Sequence, residues 1–242
     1  ISAAVIKRMG AKSNFLGYDG FPATVCVSIN EEVVHGIPGN RVLQFGDLVS
    51  FDCGAYIVDN ASRQWHGDAA FSMICGGESH ARPDDLQLLS TTERALWSAI
   101  AALANAKYLG EIGDAVEKVV AEDTLRYGWE AGIVEEYVGH GIGTAMHQAP
   151  DVLNYSTRAR GPKIKPGMVL AIEPMLTRGG SVTKELSDGW TAVTVDGSRA
   201  AHFEHTVAVL PGGVWVLTAP DGGRAGLCLL YTSPSPRDAT LS

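Results

Sequence analysis

Apolar residues recur along this chain with two spacings. Short runs rich in Val, Ile, Thr and Phe, alternating or nearly continuous, predict strands at 24–29, 48–52, 71–74, 169–173, 192–195, 203–210 and 214–217. Between the third and fourth runs the spacing lengthens to that of helices. Ser90-Thr91-Thr92-Glu93 has the form of a capping box, and a helix is expected from there to 109, with Leu96, Ile100 and Leu103 on one face and Gly110 ending it. A second helix is expected at 111–127, with Ile112, Val116, Val119 and Val120 turned inward and Gly128 as terminator. Strands, then helices, then strands predict an α+β domain.

A faint repeat runs through this pattern. Glu31-Glu32-Val33-Val34-His35-Gly36-Ile37 is echoed by Glu135-Glu136-Tyr137-Val138-Gly139-His140-Gly141-Ile142. Gly46 stands six residues before Asp52, and Gly167 six before Glu173. The matches suggest two related half-units about a pseudo-twofold axis, with polar groups of both converging on a central cleft. After Gly226 the pattern is lost, so 227–242 is expected to be a disordered or foreign tail. The start at Ile1, without methionine, suggests that an amino-terminal part is missing.

Composition narrows the function classes. A net charge of −8, from 19 basic and 27 acidic residues, argues against nucleic acid or an anionic membrane as the main partner and suits a cation site. The four cysteines are widely spaced, without a Cys-x-x-Cys pair, so neither a zinc knuckle nor a disulfide framework is indicated and a reducing cytoplasm is expected. No apolar run approaches the ~20 residues of a membrane span.

Strand periodicity singles out the acids. In the 48–52 run Val49 and Phe51 point one way, Ser50 and Asp52 the other, so Asp52 faces a polar space. In the 203–210 run Glu204 and Thr206 share the face opposite Phe203 and Val207. Glu173 ends an almost wholly apolar run that should be buried on both sides, where a lone carboxylate is costly unless paired or metal-bound. With Asp68 in Trp65-His66-Gly67-Asp68, four carboxylates would repel one another unless cations neutralised them, and their charge balances two divalent ions. Histidine supplies the remaining ligand type. His140 is framed by Gly139, Gly141 and Gly143, where the backbone is free to bend close to a ligand; His147 and His35 lie in loops. Carboxylate and imidazole without thiolate suit manganese, iron, cobalt, zinc or magnesium.

Taken together, His35-Gly36-Ile37-Pro38, Phe51-Asp52-Cys53, His66-Gly67-Asp68, Gly139-His140-Gly141-Ile142-Gly143, Ile172-Glu173-Pro174-Met175 and Phe203-Glu204-His205-Thr206 resemble, in order and interval, the methionine aminopeptidases of the bacterial type I kind. The resemblance covers 18–217 and implies a pita-bread fold in a single catalytic domain, 1–226: two pseudo-symmetric halves around a curved antiparallel sheet. It implies two divalent ions per chain, with Asp52 chelating one, Asp68 and Glu204 bridging both, and His140 and Glu173 completing the other. A water between them would attack the carbonyl after the first residue, with Glu173 as proton shuttle. His147 would donate to that carbonyl, and His35 would contact the scissile amide nitrogen. Tyr18, Phe21, Cys26, Met146 and Trp190 would wall the side-chain pocket. The implied partners are nascent peptides with N-terminal methionine, met at the ribosome by a cytoplasmic monomer.

Three features depart from the family's pattern. The Asp52 to Asp68 interval is about five residues longer than the family's, with 60–64 as the apparent insertion. If it lies in a hairpin loop it is tolerated; within a strand it would shift the register and lose a ligand. The family's amino-terminal elements are missing before Ile1, and Met146 stands where an aromatic is common. A proline-specific aminopeptidase or dipeptidase would share the five ligands, and a binding protein on the same fold would have lost some of them.

Overall fold

Two antiparallel ribbons build the protein, whose computed structural model describes residues 1–232. In the first, Leu48–Asp52 pairs with Ala69–Ile74, Asp52 lying opposite Ala70, and the pairing continues in Ala55–Val58 against Gln64–Gly67. In the second, Val169–Ile172 pairs with Glu204–Leu210 and continues in Met175–Thr177 against Ala200–His202, with Met175 opposite His202. Each ribbon opens on a glycine turn. Gly46 donates its N–H to the Cys75 carbonyl and Gly167 donates to that of Val209, at φ of 87° and 94°, a region glycine enters without strain.

Those turns give the repeat a structural meaning. Six residues on from the two glycines, Asp52 and Glu173 occupy equivalent places. Counted back from Cys75 and Val209, Ala70 corresponds to Glu204, and Asp68 to His202. Glu204 also lies opposite Ala70, which joins the ribbons edge to edge. Leu48–Asp52, Ala69–Ile74, Val169–Ile172 and Glu204–Leu210 form an eight-stranded antiparallel sheet with Cys26–Ile29, Gly139–Gly141, Gln148–Val152 and Gly213–Val216, while the continuations of the ribbons lie in two smaller sheets. This is the α+β pita-bread architecture that the resemblance implies.

The expected strands are present with ends moved by a residue or two, and Ala192–Thr194 lies in a separate sheet with Thr183–Glu185 and Glu32–Val34. The extra length after Asp52 sits in the hairpin. Val58 pairs with Gln64, and Asp59 closes the loop by accepting from the N–H groups of Ala61 and Arg63, so the register on either side is intact.

The helices are α1 (Ser2–Arg8), α2 (Pro83–Leu103), α3 (Gly110–Tyr127) and α4 (Arg224–Thr232). The expected capping box is a misreading. Helix α2 starts at Pro83, whose fixed φ suits the first turn, so Thr91 and Thr92 lie inside it. Both are buried, Thr92 bonding back to the Leu88 carbonyl and Thr91 to Asp123 of α3. Helix α2 also stops at Leu103, and Gly110 begins α3 instead of ending its predecessor, because a Cβ there would lie 2.9 Å from the Arg160 carbonyl. The second helix is as expected, closed by Gly128 at φ 75°. Of the expected tail, 227–232 continue α4, with Leu227 packed against the large core, and 233–242 lie outside the described residues.

Leu170, Ile172, Val207 and Val209, on the face of the second ribbon away from Glu173 and Glu204, pack with Leu96, Ile100, Ile112 and Val116 of α2 and α3 in one core. Each buried aliphatic side chain contributes about 1.5–3 kcal/mol. The matching face of the first ribbon lies outside that core, although Val49 on it is buried. Phe51 stacks there on Phe71, and Phe71 and Met73 are about half exposed. A partly buried ion pair ties the halves together, because Arg199 donates both to the buried Asp85 of α2 (2.6 Å) and to the Gly46 carbonyl (2.9 Å). Replacing Asp85 by Ala leaves that partly buried guanidinium without its counter-charge and should cost about 2 kcal/mol in urea unfolding, below the cost for a fully buried pair. A loss no larger than that of the exposed control Glu93→Ala would contradict this role.

Candidate active site

Strand register puts five potential ligands on one face. Residues directly opposite in neighbouring strands share a face, as do residues two apart in one strand. Cys26, Asp52, Ala70 and Glu204 form one such row, and His140, Ala171 and Thr206 the next. Asp68 lies two residues before Ala70, Glu173 two after Ala171 and Thr206 two after Glu204, so all five turn to the same side. Ala70 and Ala171 stand between ligands and keep the space in front of them open. Each ligand candidate is less than a tenth exposed.

Hydrogen bonds hold two of them in place. Thr206 Oγ1 accepts from the Asp68 N–H (2.9 Å) and donates to the Asp68 carbonyl (2.7 Å), clamping that residue to the Glu204 strand. His140 Nδ1 is 2.8 Å from the Gly141 carbonyl; a carbonyl only accepts, so Nδ1 carries the proton and Nε2 presents its lone pair. That lone pair faces Glu173 Oε1 at 3.5 Å, two acceptors toward one another, an arrangement that a shared cation or proton stabilises. The glycines beside His140 have another reason than the one expected. A Cβ at Gly139 would lie 2.3 Å from the Ala171 carbonyl and one at Gly141 2.5 Å from that of Ala149, so neighbouring strands close on them from both sides.

The electrostatics follow from burial. Asp52, Asp68, Glu173 and Glu204 are all pushed above the ordinary carboxylate range, first by desolvation. Charge on neighbouring carboxylates adds to this for Asp68, Glu173 and Glu204. Burial lowers His140 to about 4, which keeps it a neutral ligand. The donor set fits divalent cations: Asp52 Oδ1 is buried with no hydrogen-bond partner, and atoms of Asp68, His140 and Glu204 lie within 4.8 Å of one another. Asp52 adjoins that trio at Asp68, each of the two carboxylates influencing the titration of the other, and Glu173 adjoins it through His140.

A cavity of about 360 Å³ opens in front, lined by all twelve residues that the sequence singled out. Phe21, Cys26 and Met146 form its apolar wall with Phe15, and Trp190 packs on Phe21. Burial pushes the Cys26 thiol far up, so it stays neutral. His147 shares a 2.9 Å hydrogen bond with the Tyr18 hydroxyl through Nδ1, and His35 sits edge-on between Tyr137 and Trp190. His35 has φ 60°, a left-handed conformation costing a non-glycine residue of order 1 kcal/mol. Burial and the neighbouring His147 lower its pKa to about 4. Sequence reasoning missed Phe15, Tyr137 and Met175 in the lining and His202 behind Glu173, although Met175 stood within a quoted motif.

Comparison with known proteins places this geometry. The sequence matches metallopeptidase family M24 over residues 1–211. It is 48% identical over 219 residues to methionine aminopeptidase 1 of Mycobacterium tuberculosis, covering 90% of this chain and 79% of that one. The chain belongs to the methionine aminopeptidases of this family. The enzyme named methionine aminopeptidase 1 in Bacillus subtilis is 43% identical over 218 residues, 90% of this chain and 82% of its own. The crystal structure of the Thermotoga maritima methionine aminopeptidase superposes with a TM-score of 0.80 at 38% identity, over 89% of this chain and 81% of that one. A Pyrococcus furiosus prolidase, at TM-score 0.58 and 20% identity over 81% of this chain and 48% of its own, shares the fold alone.

The raised carboxylates set a pH dependence. A group whose pKa is higher in the folded than in the unfolded chain stabilises at low pH and loses that contribution as pH rises through its folded value. The lowered histidines act in the opposite sense, but only below about pH 6.5, their unfolded value. In chelator, thermal unfolding should therefore move to lower temperature as pH rises from about 6.5 to about 7.5, through the value of about 7 to which Asp52 is pushed, and added Mn²⁺ should reverse the shift. A chelated protein with a flat profile over that interval would contradict the clustering.

Proposed function

We propose that the enzyme removes the initiator methionine from nascent peptides, using two divalent ions held by Asp52, Asp68, His140, Glu173 and Glu204. The carrying observation is that the apolar wall of Phe21, Cys26, Met146 and Trp190 runs directly into the five-ligand row within one cavity. An unbranched thioether side chain lies against such a wall without leaving a buried polar group unpaired. The peptide bond that follows then meets the carboxylates and histidines. Ions bound there would supply Lewis acidity, polarising the carbonyl and acidifying water.

The chain's own groups do the rest. In this reading the Tyr18 hydroxyl, 2.9 Å from His147 Nδ1, is the donor to that nitrogen, so the proton of the ring stands on Nε2, available to the substrate carbonyl. His35, held at the cavity by its turn, contacts the scissile nitrogen. Burial lowers the pKa of both histidines, so each works from its neutral form near pH 7. Glu173, the most apolar-flanked of the carboxylates, passes the proton from water to the leaving amine. The enzyme is proposed to act as a cytoplasmic monomer at the ribosome. No helix among the described residues is long and apolar enough to cross a membrane.

Purified protein loaded with Mn²⁺ should release methionine from Met-Ala-Ser and leave Xaa-Pro peptides intact. Cleavage of the proline substrates alone would overturn the assignment. Glu173→Gln, which keeps the shape and removes the shuttle, should lower kcat by at least about a hundredfold, and a variant within a few-fold of the parent would refute that role.

A further inference from the structure

Behind Glu173 lies a histidine outside the proposed ligand set. His202 is 1% exposed, and its Nε2 has no hydrogen-bond partner, a costly condition for a buried nitrogen. Glu173 Oε2 lies 3.9 Å from it. Glu173 therefore divides its two oxygens: Oε1 faces His140, while Oε2 faces His202.

Something must hold that division. The last torsion of a glutamate joins sp³ to sp² carbon and has a broad, nearly twofold profile, so rotamer preference alone does not fix the carboxylate plane. Asn154 anchors the residue from the main chain by donating its Nδ2 to the Glu173 carbonyl (3.2 Å), and leaves the head free. The pairing of the two ribbons supplies the other constraint. His202 is the pseudo-twofold counterpart of Asp68, and as Asp68 adjoins Asp52 in the first half, His202 faces Glu173 in the second. One half uses that place for a ligand, the other for a donor.

We propose that His202 is a positioning residue that donates its Nε2–H to Glu173 Oε2 and so presents Oε1 to the metal. A small turn of the carboxylate closes the remaining gap. The proposal rests on the reading of Glu173 as a ligand. Partners that orient metal-binding carboxylates in this way typically govern metal affinity by ~10–100-fold.

The test is calorimetric titration of Mn²⁺ into the chelator-stripped full chain, carrying His202→Leu or His202→Gln, with thermal unfolding in chelator alongside. Leu removes the donor at similar volume; Gln restores an N–H of comparable reach. His202→Leu should lose about ten- to a hundredfold in Mn²⁺ affinity, His202→Gln should stay within a few-fold of the parent, and neither should unfold at lower temperature in chelator. Should the Leu variant not fold, His202→Asn, whose amide is too short to reach, takes its place with the same expectation. Parental affinity in the Leu variant, or equal losses in Leu and Gln, would overturn the role of His202 and leave the ligand set standing. A parent that takes up no Mn²⁺ would overturn both.

Discussion

Four carboxylates on one face of one sheet, each less than a tenth exposed, are the constraint on which the rest of this structure depends. Buried this way they cannot all be charged without nearby positive charge. Among the described residues no lysine or arginine lines the cavity, and the histidines there are held neutral by their own burial. The charge that the fold omits is that of divalent cations, and the neutral His140 with its lone pair turned inward is a ligand suited to them.

The sheet makes this arrangement by register more than by shape. Asp52, Ala70 and Glu204 lie directly across from one another, as do His140, Ala171 and Thr206, with alanine in the middle of each row. Larger residues in the middle would fill the space that an ion needs. The helices stabilise the far side of the second ribbon, where Leu170, Ile172, Val207 and Val209 are buried against α2 and α3. Catalytic precision is thereby placed on strands whose other face is core, a rigid support for ligands that must be held to within tenths of an ångström.

Much of this was legible in the sequence. Alternation within 48–52 and 203–210 turned Asp52 and Glu204 to the polar side, and the six-residue interval from Gly46 and Gly167 recorded a true equivalence of the ribbons. What alternation cannot supply is which strand lies beside which, so the rows joining Asp52 to Glu204 and His140 to Thr206 appear only in three dimensions. The start of α2 was misplaced because Ser90-Thr91-Thr92-Glu93 fits a capping box locally. Tertiary contacts gave Thr91 a partner on α3 and let the helix extend back to Pro83. His202 passed unnoticed for a similar reason, since its neighbour Glu173 is 29 residues away along the chain.

The central claim is that the five side chains together hold two ions. Anomalous scattering from crystals grown with Mn²⁺ addresses it directly, because each manganese gives its own peak regardless of activity. Two peaks roughly 3.5 Å apart, one against Asp52 and the other against His140 and Glu173, with Asp68 and Glu204 between them, are the predicted result. A single peak, or none within reach of Asp68 and Glu204, would contradict the account.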